Sequence, residues 1–302
     1  MIIDRLLEGL KQRDPRAIGR AISLVENGDE NAEDILSSLD ENLVSQATIL
    51  GITGPPGAGK STLTNEIIVQ LRKQQKRIGI IAIDPTSPIS GGAILGDRIR
   101  MMQHATDQDV IMRSMATRGR LGGLCATAGA AVRIMASCGC STIIIETVGV
   151  GQSEMDIIRL ADITLLVLAP GLGDDIQAMK AGLLEVADIL VVNKADCKGA
   201  DILAMDLEAV TRKGRATQTQ VCMTVATEGK GITGLLGRID KVDSEHRDSG
   251  ERKKRRRGAH DQEVLDWCLE IIRPKLLAEI SKKNLPVLGD PRLKAKKILE
   301  EQ

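Results

Sequence analysis

The chain has no phenylalanine, no tyrosine and one tryptophan, Trp267, in 302 residues. A core built on aromatic rings is thereby excluded, and large interior positions fall to Leu, Ile, Val and Met. Nucleic-acid recognition by base stacking needs aromatic platforms, so that class is disfavoured too. Neither sign of charge is in excess, with 41 Lys+Arg against 41 Asp+Glu. Such a balance supplies no global attraction to nucleic acid or to an anionic membrane, and neither is expected as a partner. No apolar run approaches the roughly 20 residues that span a bilayer. No stretch has the form of a secretory leader, and a cytoplasmic protein is the expectation. Histidine is scarce, with His104, His246 and His260 the only three. Six cysteines are scattered at 125, 138, 140, 197, 222 and 268. Cys138-Gly-Cys140 is the nearest thing to a soft-metal clip, but no histidine lies near it, and buried reduced thiols are the simpler reading.

What is present is ordinary for a globular protein: 42% hydrophobic and 27% charged residues. Residues 1–47 read as short amphipathic helices that need a body to pack on. Asp14 suits an N-cap and Pro15 the first helical position after it. From 48 to 231 the pattern alternates. Strand-like apolar runs ("ATILGITG", "KRIGIIAIDP", "DVIMRSM", "STIIIETVG", "ADITLLVLAP", "ADILVVNKAD", "QVCMTVAT") are mostly separated by helical segments near 60–74, 96–105, 124–138, 174–187 and 200–213. Alternation of this kind predicts an α/β fold with a mostly parallel, doubly wound sheet. Ligands then sit beyond the carboxyl ends of the strands. Residues 232–302 read as a helical, polar arm. Its basic run, Lys253 to Arg257, suits a solvated helix face or an interaction arm, with anion binding as the alternative.

The sharpest motif is "GPPGAGKST", in which Gly54, Pro55, Pro56, Gly57, Ala58, Gly59, Lys60, Ser61 and Thr62 follow an apolar strand and open a helix. Glycines in that context let backbone N–H groups converge on phosphate oxygens. The helix N-terminus adds partial positive charge, Lys60 places an ammonium on the outer phosphates, and the Ser61 hydroxyl is a ligand for Mg²⁺. The motif specifies a nucleoside triphosphate and leaves the base open.

The base is indicated by "VVNKAD". A carboxylate at Asp196 can accept from both N1–H and the exocyclic amine of guanine, whereas adenine offers no adjacent donor pair. Each buried polar group left unpaired costs about 1–3 kcal/mol, so GTP and GDP are the expected nucleotides. Lys194 can lay its stem on the base, and Asn193 is expected to tie this loop to the phosphate loop.

Three carboxylates complete the constellation. Glu146 ends the run "STIIIE", and Asp84 ends "GIIAID"; both suit the magnesium shell. Asp97 stands where a loop becomes a helix, either as a helix cap or as a metal or water contact. Gly149 can present its N–H to the γ-phosphate without a Cβ in the way, and Gln152 can orient the attacking water. Arg118 and Arg120, amid glycines, are either phosphate contacts or surface residues.

Taken together, "GPPGAGKST", "DPTSP", "GDRIRM", "RSMATRGRLGGL", "ETVGVGQSE", "LAPGLGDDIQAMKAG" and "VVNKAD" resemble the MeaB/ArgK-type GTPases, the group that includes the methylmalonic aciduria type A protein. The resemblance spans roughly residues 5–250. It implies a homodimeric GTP-hydrolysing chaperone of adenosylcobalamin-dependent methylmalonyl-CoA mutase that gates cofactor loading. It also implies that Asp84, Asp97 and Glu146 serve nucleotide or magnesium, and that "GDDIQAMKAG" is a switch segment with Lys180 as its functional cation. Two positions depart from the family pattern. Val225 stands where the guanine-side loop usually has Ser, leaving the Ala226 N–H to meet the guanine oxygen, and Arg120 stands where His is frequent. Competing classes are a nickel-delivery GTPase, a small-molecule kinase and a GTP-binding scaffold without hydrolysis.

Overall fold

A computed structural model describes residues 2–84, 104, 106–116, 123–147, 159–172, 183–214, 219–283 and 290–300. Its centre is a seven-stranded sheet: β1 (Thr48–Thr53), β2 (Ile78–Asp84), β3 (Val110–Ala116), β4 (Thr142–Thr147), β5 (Ile163–Leu168), β6 (Ile189–Val192) and β7 (Gln220–Met223). The spatial order is β3-β2-β4-β1-β5-β6-β7, and all six pairings are parallel. The expected α/β architecture is therefore present, and the sheet is wholly rather than mostly parallel.

Continuous apolar runs form these strands because both sheet faces are covered. All six residues of β5 and all four of β6 are buried. The missing aromatic rings are replaced by branched aliphatics. The largest fully buried side chains include Ile18, Ile22, Ile35, Leu50, Ile52, Leu63, Ile67 and Ile80. β-Branched Ile packs well on a pleated surface and loses little rotamer freedom there.

The helices lie on both faces. Four short ones precede the sheet: α1 (Ile2–Lys11), α2 (Pro15–Glu26), α3 (Ala32–Ser37) and α4 (Glu41–Gln46). The Asp14 side chain accepts from the Arg16 N–H and caps α2, with Pro15 at its first position. Leu6, Ile18 and Ile22 share one apolar cluster with Ile81, Met135 and Ile143, so these helices complete the core over one face. α5 (Lys60–Lys73) follows β1. α6 (Gly123–Ser137) precedes β4, α7 (Leu183–Val186) precedes β6, and α8 (Ala200–Gly214) precedes β7.

Beyond β7 come α9 (Ile232–Asp248), α10 (Glu251–Lys283) and α11 (Pro291–Glu300). The basic run departs from the expectation of a solvated face. α10 passes through it, and Arg252, Arg255 and Arg256 fall at helical spacing on its inner side, facing the amino-terminal end of the sheet. Arg255 pairs bidentately with Asp188 at 2.7 and 2.9 Å. Arg256 pairs with Asp162 and caps the carbonyls of Val44 and Ser45. Arg252 is buried between Asp243 and the Ala47 carbonyl. Lys253, Lys254 and Arg257 remain exposed. Further along α10, Arg133 of α6 grips the buried Glu263 with two bonds of 2.6 and 2.7 Å. Past that point the helix shows Leu265, Leu269, Ile272 and Leu277 to solvent.

Candidate nucleotide site

The parallel register sets the site. β4 lies between β1 and β2, with Glu146 level with Ile52 on one side and Ala82 on the other. The strand that runs into the phosphate loop and the strand that ends in Glu146 are therefore neighbours, and their carboxyl ends open on the same crevice. The backbone of Asp84 closes β2 beside Ala116 of β3; its side chain lies outside the described residues.

After β1 the chain turns through Gly54 at φ 143° and Gly59 at φ 87°, both left-handed values that favour glycine. A Cβ on Gly54 would run into the Val167 carbonyl, and one on Gly59 into the Asn193 amide. Pro55 and Ala58 are buried, while Pro56 and Gly57 are exposed at the tip. Lys60 is 6% exposed, and its Nζ donates to the carbonyls of Gly54 at 2.8 Å and Pro55 at 3.1 Å. The ammonium is thus held inside the loop's curl. One residue on, Ser61 Oγ donates to Glu146 Oε1 at 2.6 Å, and Thr62 is exposed. Glu146 is 6% exposed, so a carboxylate and a hydroxyl meet in a nearly dry corner at the helix N-terminus.

Asn193 joins the two halves of the site. It is 2% exposed. Its Nδ2 donates to the Ala58 carbonyl at 3.0 Å, while its Oδ1 accepts from Thr224 Oγ1 at 3.1 Å and from the Ala226 N–H at 3.2 Å. Nδ2 also donates to the Gly59 carbonyl at 3.4 Å, so both N–H groups and both lone pairs of this one amide are used, and the phosphate loop and the 224–226 turn are fixed against each other. The Ala226 N–H, expected at the guanine oxygen, is directed at Asn193 here. Val225 is 8% exposed and pairs both ways with Lys230. Lys194 turns the chain at φ 55°, and its side chain and that of Asp196 are exposed at the rim. Thr224 was not anticipated as part of the site. Its signal was a hydroxyl residue directly before Val225-Ala226, so the hydroxyl missing at 225 is present one position earlier.

Asp97, Arg118, Arg120, Gly149, Gln152 and Lys180 lie outside the described residues. Cys138 and Cys140 are both 1% exposed, with burial pushing their thiols up to about 11 and about 12. Both thiols are therefore protonated at neutral pH, as the reading of buried reduced cysteines expects.

A parallel sheet with a glycine-rich phosphate loop at the end of β1, and a carboxylate from the adjacent strand on that loop's serine, defines the P-loop nucleoside-triphosphatase fold. The sequence profile described as "Methylmalonyl Co-A mutase-associated GTPase MeaB" matches residues 18–284. The chain belongs to this family of GTPases. A Pyrococcus abyssi relative that carries a GTPase name is 48% identical over 291 residues, covering 93% of this chain and 88% of its own. The mitochondrial methylmalonic aciduria type A homolog of Mus musculus is 31% identical over 298 residues, covering 91% and 70%. GTPase ArgK of Escherichia coli is 34% identical over 233 residues, covering 74% and 70%. Among solved structures, a LAO/AO transport system kinase superposes with a TM-score of 0.69 at 23% identity, over 98% of this chain and 96% of that one. HypB of Helicobacter pylori, solved in complex with nickel, gives 0.51 at 14% identity, over 72% and 97%. Both likenesses are ones of fold. No helix among the described residues is long and apolar enough to cross a membrane.

Proposed function

We propose that this GTPase is a magnesium-dependent chaperone that gates cofactor loading and protection of an adenosylcobalamin-dependent acyl-CoA mutase of the methylmalonyl-CoA mutase type. The observation that carries the nucleotide part is the 2.6 Å contact between Ser61 and Glu146. Two hard oxygen donors beside a phosphate loop suit Mg²⁺, which favours oxygen ligands and shares its shell with substrate phosphates. Ser61 and Glu146 would hold the ion, with Asp84 and Asp97 joining the shell. When bound, magnesium supplies positive charge to the β- and γ-phosphate oxygens.

The chain's own residues do the rest in this reading. Backbone N–H groups of 54–62 cradle the phosphates, and Lys60 leaves its loop carbonyls to meet the outer ones. Asn193 keeps the base loop in register with the phosphate loop, and Asp196 and Lys194 select guanine. Gly149 presents its N–H to the γ-phosphate, Gln152 orients the attacking water, and Lys180 is the functional cation of the switch segment "GDDIQAMKAG". The family's mutase association supports the partner. The organisation follows the reading of a helical extension at 1–47, a GTPase domain at 48–231 and an arm at 232–302 that joins two copies, its exposed Leu265, Leu269, Ile272 and Leu277 suiting a dimer contact. The assembly works in the cytoplasm.

The test is GTP hydrolysis by the full chain, alone and with purified methylmalonyl-CoA mutase, alongside size-exclusion analysis of the mixture. A nucleotide-dependent complex with altered hydrolysis is the expected result. Normal GTP binding with neither complex nor change in rate would overturn the partner assignment and leave the GTPase intact.

A further inference from the structure

The two strands that frame the phosphate loop each end in a buried threonine. β1 closes on Thr53, the residue before Gly54, and β4 closes on Thr147, the residue after Glu146. Both are 1% exposed. Thr147 Oγ1 donates to Thr53 Oγ1 at 3.4 Å, and among the described residues each hydroxyl has the other as its only hydrogen-bond partner. The ladder between β1 and β4 runs from Thr48 opposite Thr142 to Ile52 opposite Glu146, one residue short of this pair. Past that point the ladder continues only on the outer sides, with Thr53 opposite Leu166 of β5 and Thr147 opposite Ile83 of β2. The hydroxyl contact carries the pairing of β1 with β4 one step further, at the point where the chain leaves β1 for the phosphate loop.

Side chains alternate across a strand, so both threonines lie on the face opposite Glu146. Ile52 and Ile144 pack with Leu63 and Ile67 of α5, whereas Ile143 and Ile145 pack with Ile18, Ile22 and Met135 on the other side. The pair therefore stands behind the Ser61–Glu146 contact, with the sheet between them. Stability does not account for it. A strand buried on both faces calls for apolar residues throughout, and valine has the shape of threonine without a hydroxyl to desolvate. A hydroxyl pair differs from a methyl pair in how closely it approaches. Non-bonded carbon atoms settle at about 3.5–4.0 Å, so valines here would hold the strand ends up to several tenths of an ångström further apart. That spacing sets how far Gly54, where the phosphate loop begins, stands from the strand that carries Glu146.

We propose, on the reading of Ser61 and Glu146 as the magnesium residues, that Thr53 and Thr147 are positioning residues for GTP hydrolysis: their contact holds the ends of β1 and β4 at the separation that lets Ser61 and Glu146 close on one cation. Ser61 follows the phosphate loop and Glu146 follows β4, so a change in strand spacing changes the distance between their oxygens. Mg²⁺ demands near-ideal octahedral geometry with oxygens at about 2.0–2.1 Å, which makes its binding sensitive to shifts of this size. GDP binding without metal depends on the phosphate loop and the Asn193–Asp196 loop, to which neither hydroxyl belongs, and is left alone.

The experiment follows GTP hydrolysis by the full chain through a magnesium titration, alongside calorimetric GDP affinity in EDTA and thermal unfolding. The variants are Thr53→Val, Thr147→Val, Thr53→Ser, Thr147→Ser and the double Thr53→Val/Thr147→Val. Each valine single is expected to raise the magnesium concentration for half-maximal hydrolysis about fivefold. GDP affinity in EDTA is expected to stay within about twofold. The serine variants keep the hydroxyl and titrate within about twofold of the unaltered chain. The double valine variant separates positioning from stability. It leaves neither hydroxyl unpaired, so its melting temperature recovers toward that of the unaltered chain, while its magnesium requirement stays as high as in the singles. A magnesium requirement that recovers together with the melting temperature would overturn the proposal, and so would valine singles that titrate like the unaltered chain. Hydrolysis by the unaltered chain that is indifferent to magnesium would overturn the metal reading of Ser61 and Glu146, and the proposal with it. Should a valine single fail to fold, the double variant and the serine variants decide the question by the same criteria.

Discussion

Arg256 holds Asp162 in a two-pronged grip, Nε to Oδ1 at 2.8 Å and Nη2 to Oδ2 at 2.7 Å, and the same carboxylate accepts the Ile49 N–H at 2.9 Å. One acid thus joins the first residues of β1, the entry to β5 and the helical arm. Its neighbour does the same one strand over: Asp188 accepts the Thr164 N–H at 2.9 Å and pairs with Arg255. Such pairs earn little over an apolar contact of the same shape, but removing one partner strands the other. The nucleotide crevice is at the opposite, carboxyl end of these strands, so the arm is fastened far from the chemistry.

Asp162→Ala should therefore be strongly destabilising. Asp162 is fully buried, and the change takes from Arg256 its charged partner, leaving it backbone carbonyls only, and from the Ile49 N–H its side-chain acceptor. A loss of about 3–5 kcal/mol is expected. Arg256→Lys should recover little, since an ammonium cannot make the parallel two-bond contact. Chemical denaturation of the variants checks both. An Asp162→Ala midpoint equal to that of the unaltered chain would show that the grip contributes nothing.

Asn193 has a second dependence, on Thr224. The Thr224 hydroxyl is 1% exposed and donates to Asn193 Oδ1 at 3.1 Å. Thr224→Val keeps the shape and deletes that bond. A net loss of about 1 kcal/mol in guanine-nucleotide affinity, roughly fivefold in Kd, is expected. Asn193→Ala should lose more, because it also frees the phosphate loop at Ala58. Titration calorimetry with GDP orders the three proteins; a Thr224→Val affinity equal to that of the unaltered chain would remove the hydroxyl from the site.

Acidification should loosen His104. Burial lowers its pKa from the ordinary 6.5 and outweighs the opposing pull of Asp107 and Glu66, with Arg72 adding to the lowering. The neutral ring is therefore favoured in the folded chain. Its contribution to stability is complete above the unfolded value of 6.5 and declines as pH falls below it, because the unfolded chain takes up the proton first. The melting temperature should fall between pH 7.5 and 5.5 by more in the unaltered protein than in His104→Gln. Equal falls would assign the pH response to other groups.

The sheet was legible because a buried parallel strand must be apolar throughout, and each of the seven runs, from "ATILGITG" to "QVCMTVAT", became a strand. The phosphate loop was legible because Gly54 and Gly59 sit where a Cβ would strike the Val167 carbonyl and the Asn193 amide. Lys253, Lys254 and Arg257 are exposed as a solvated face requires, but the inward turn of Arg255 and Arg256 was missed because composition does not reveal which side of α10 faces the sheet. Arg255 and Arg256 only acquire their acidic partners once β5 and β6 bring Asp188 and Asp162 to one end of the sheet, and those acids lie some 70–90 residues away in sequence. Thr224 was missed for a related reason. Its partner, Asn193, is brought to it by the order of β6 and β7 in the sheet, which is not written in local spacing.

Glu146 offers the sharpest test of the site's chemistry. Its carboxylate lies against Ser61 Oγ, it is 6% exposed, and it is level with Ile52 on the strand leading into the phosphate loop. A buried carboxylate in that place suits a divalent cation, because burial penalises its charge and positive charge offsets that penalty. Glu146→Ala should reduce magnesium-dependent GTP hydrolysis by about a hundredfold or more. GDP binding measured in EDTA should change little, since the phosphate loop and the Asn193–Asp196 loop are intact. Glu146→Gln keeps the volume and one acceptor oxygen for the Ser61 hydroxyl, so it separates charge from packing. If charge on the cation is what matters, Gln should be nearly as slow as Ala while melting close to the unaltered protein. Loss of magnesium-free GDP binding in step with hydrolysis, in both variants, would instead make Glu146 a brace for Ser61 and the phosphate loop.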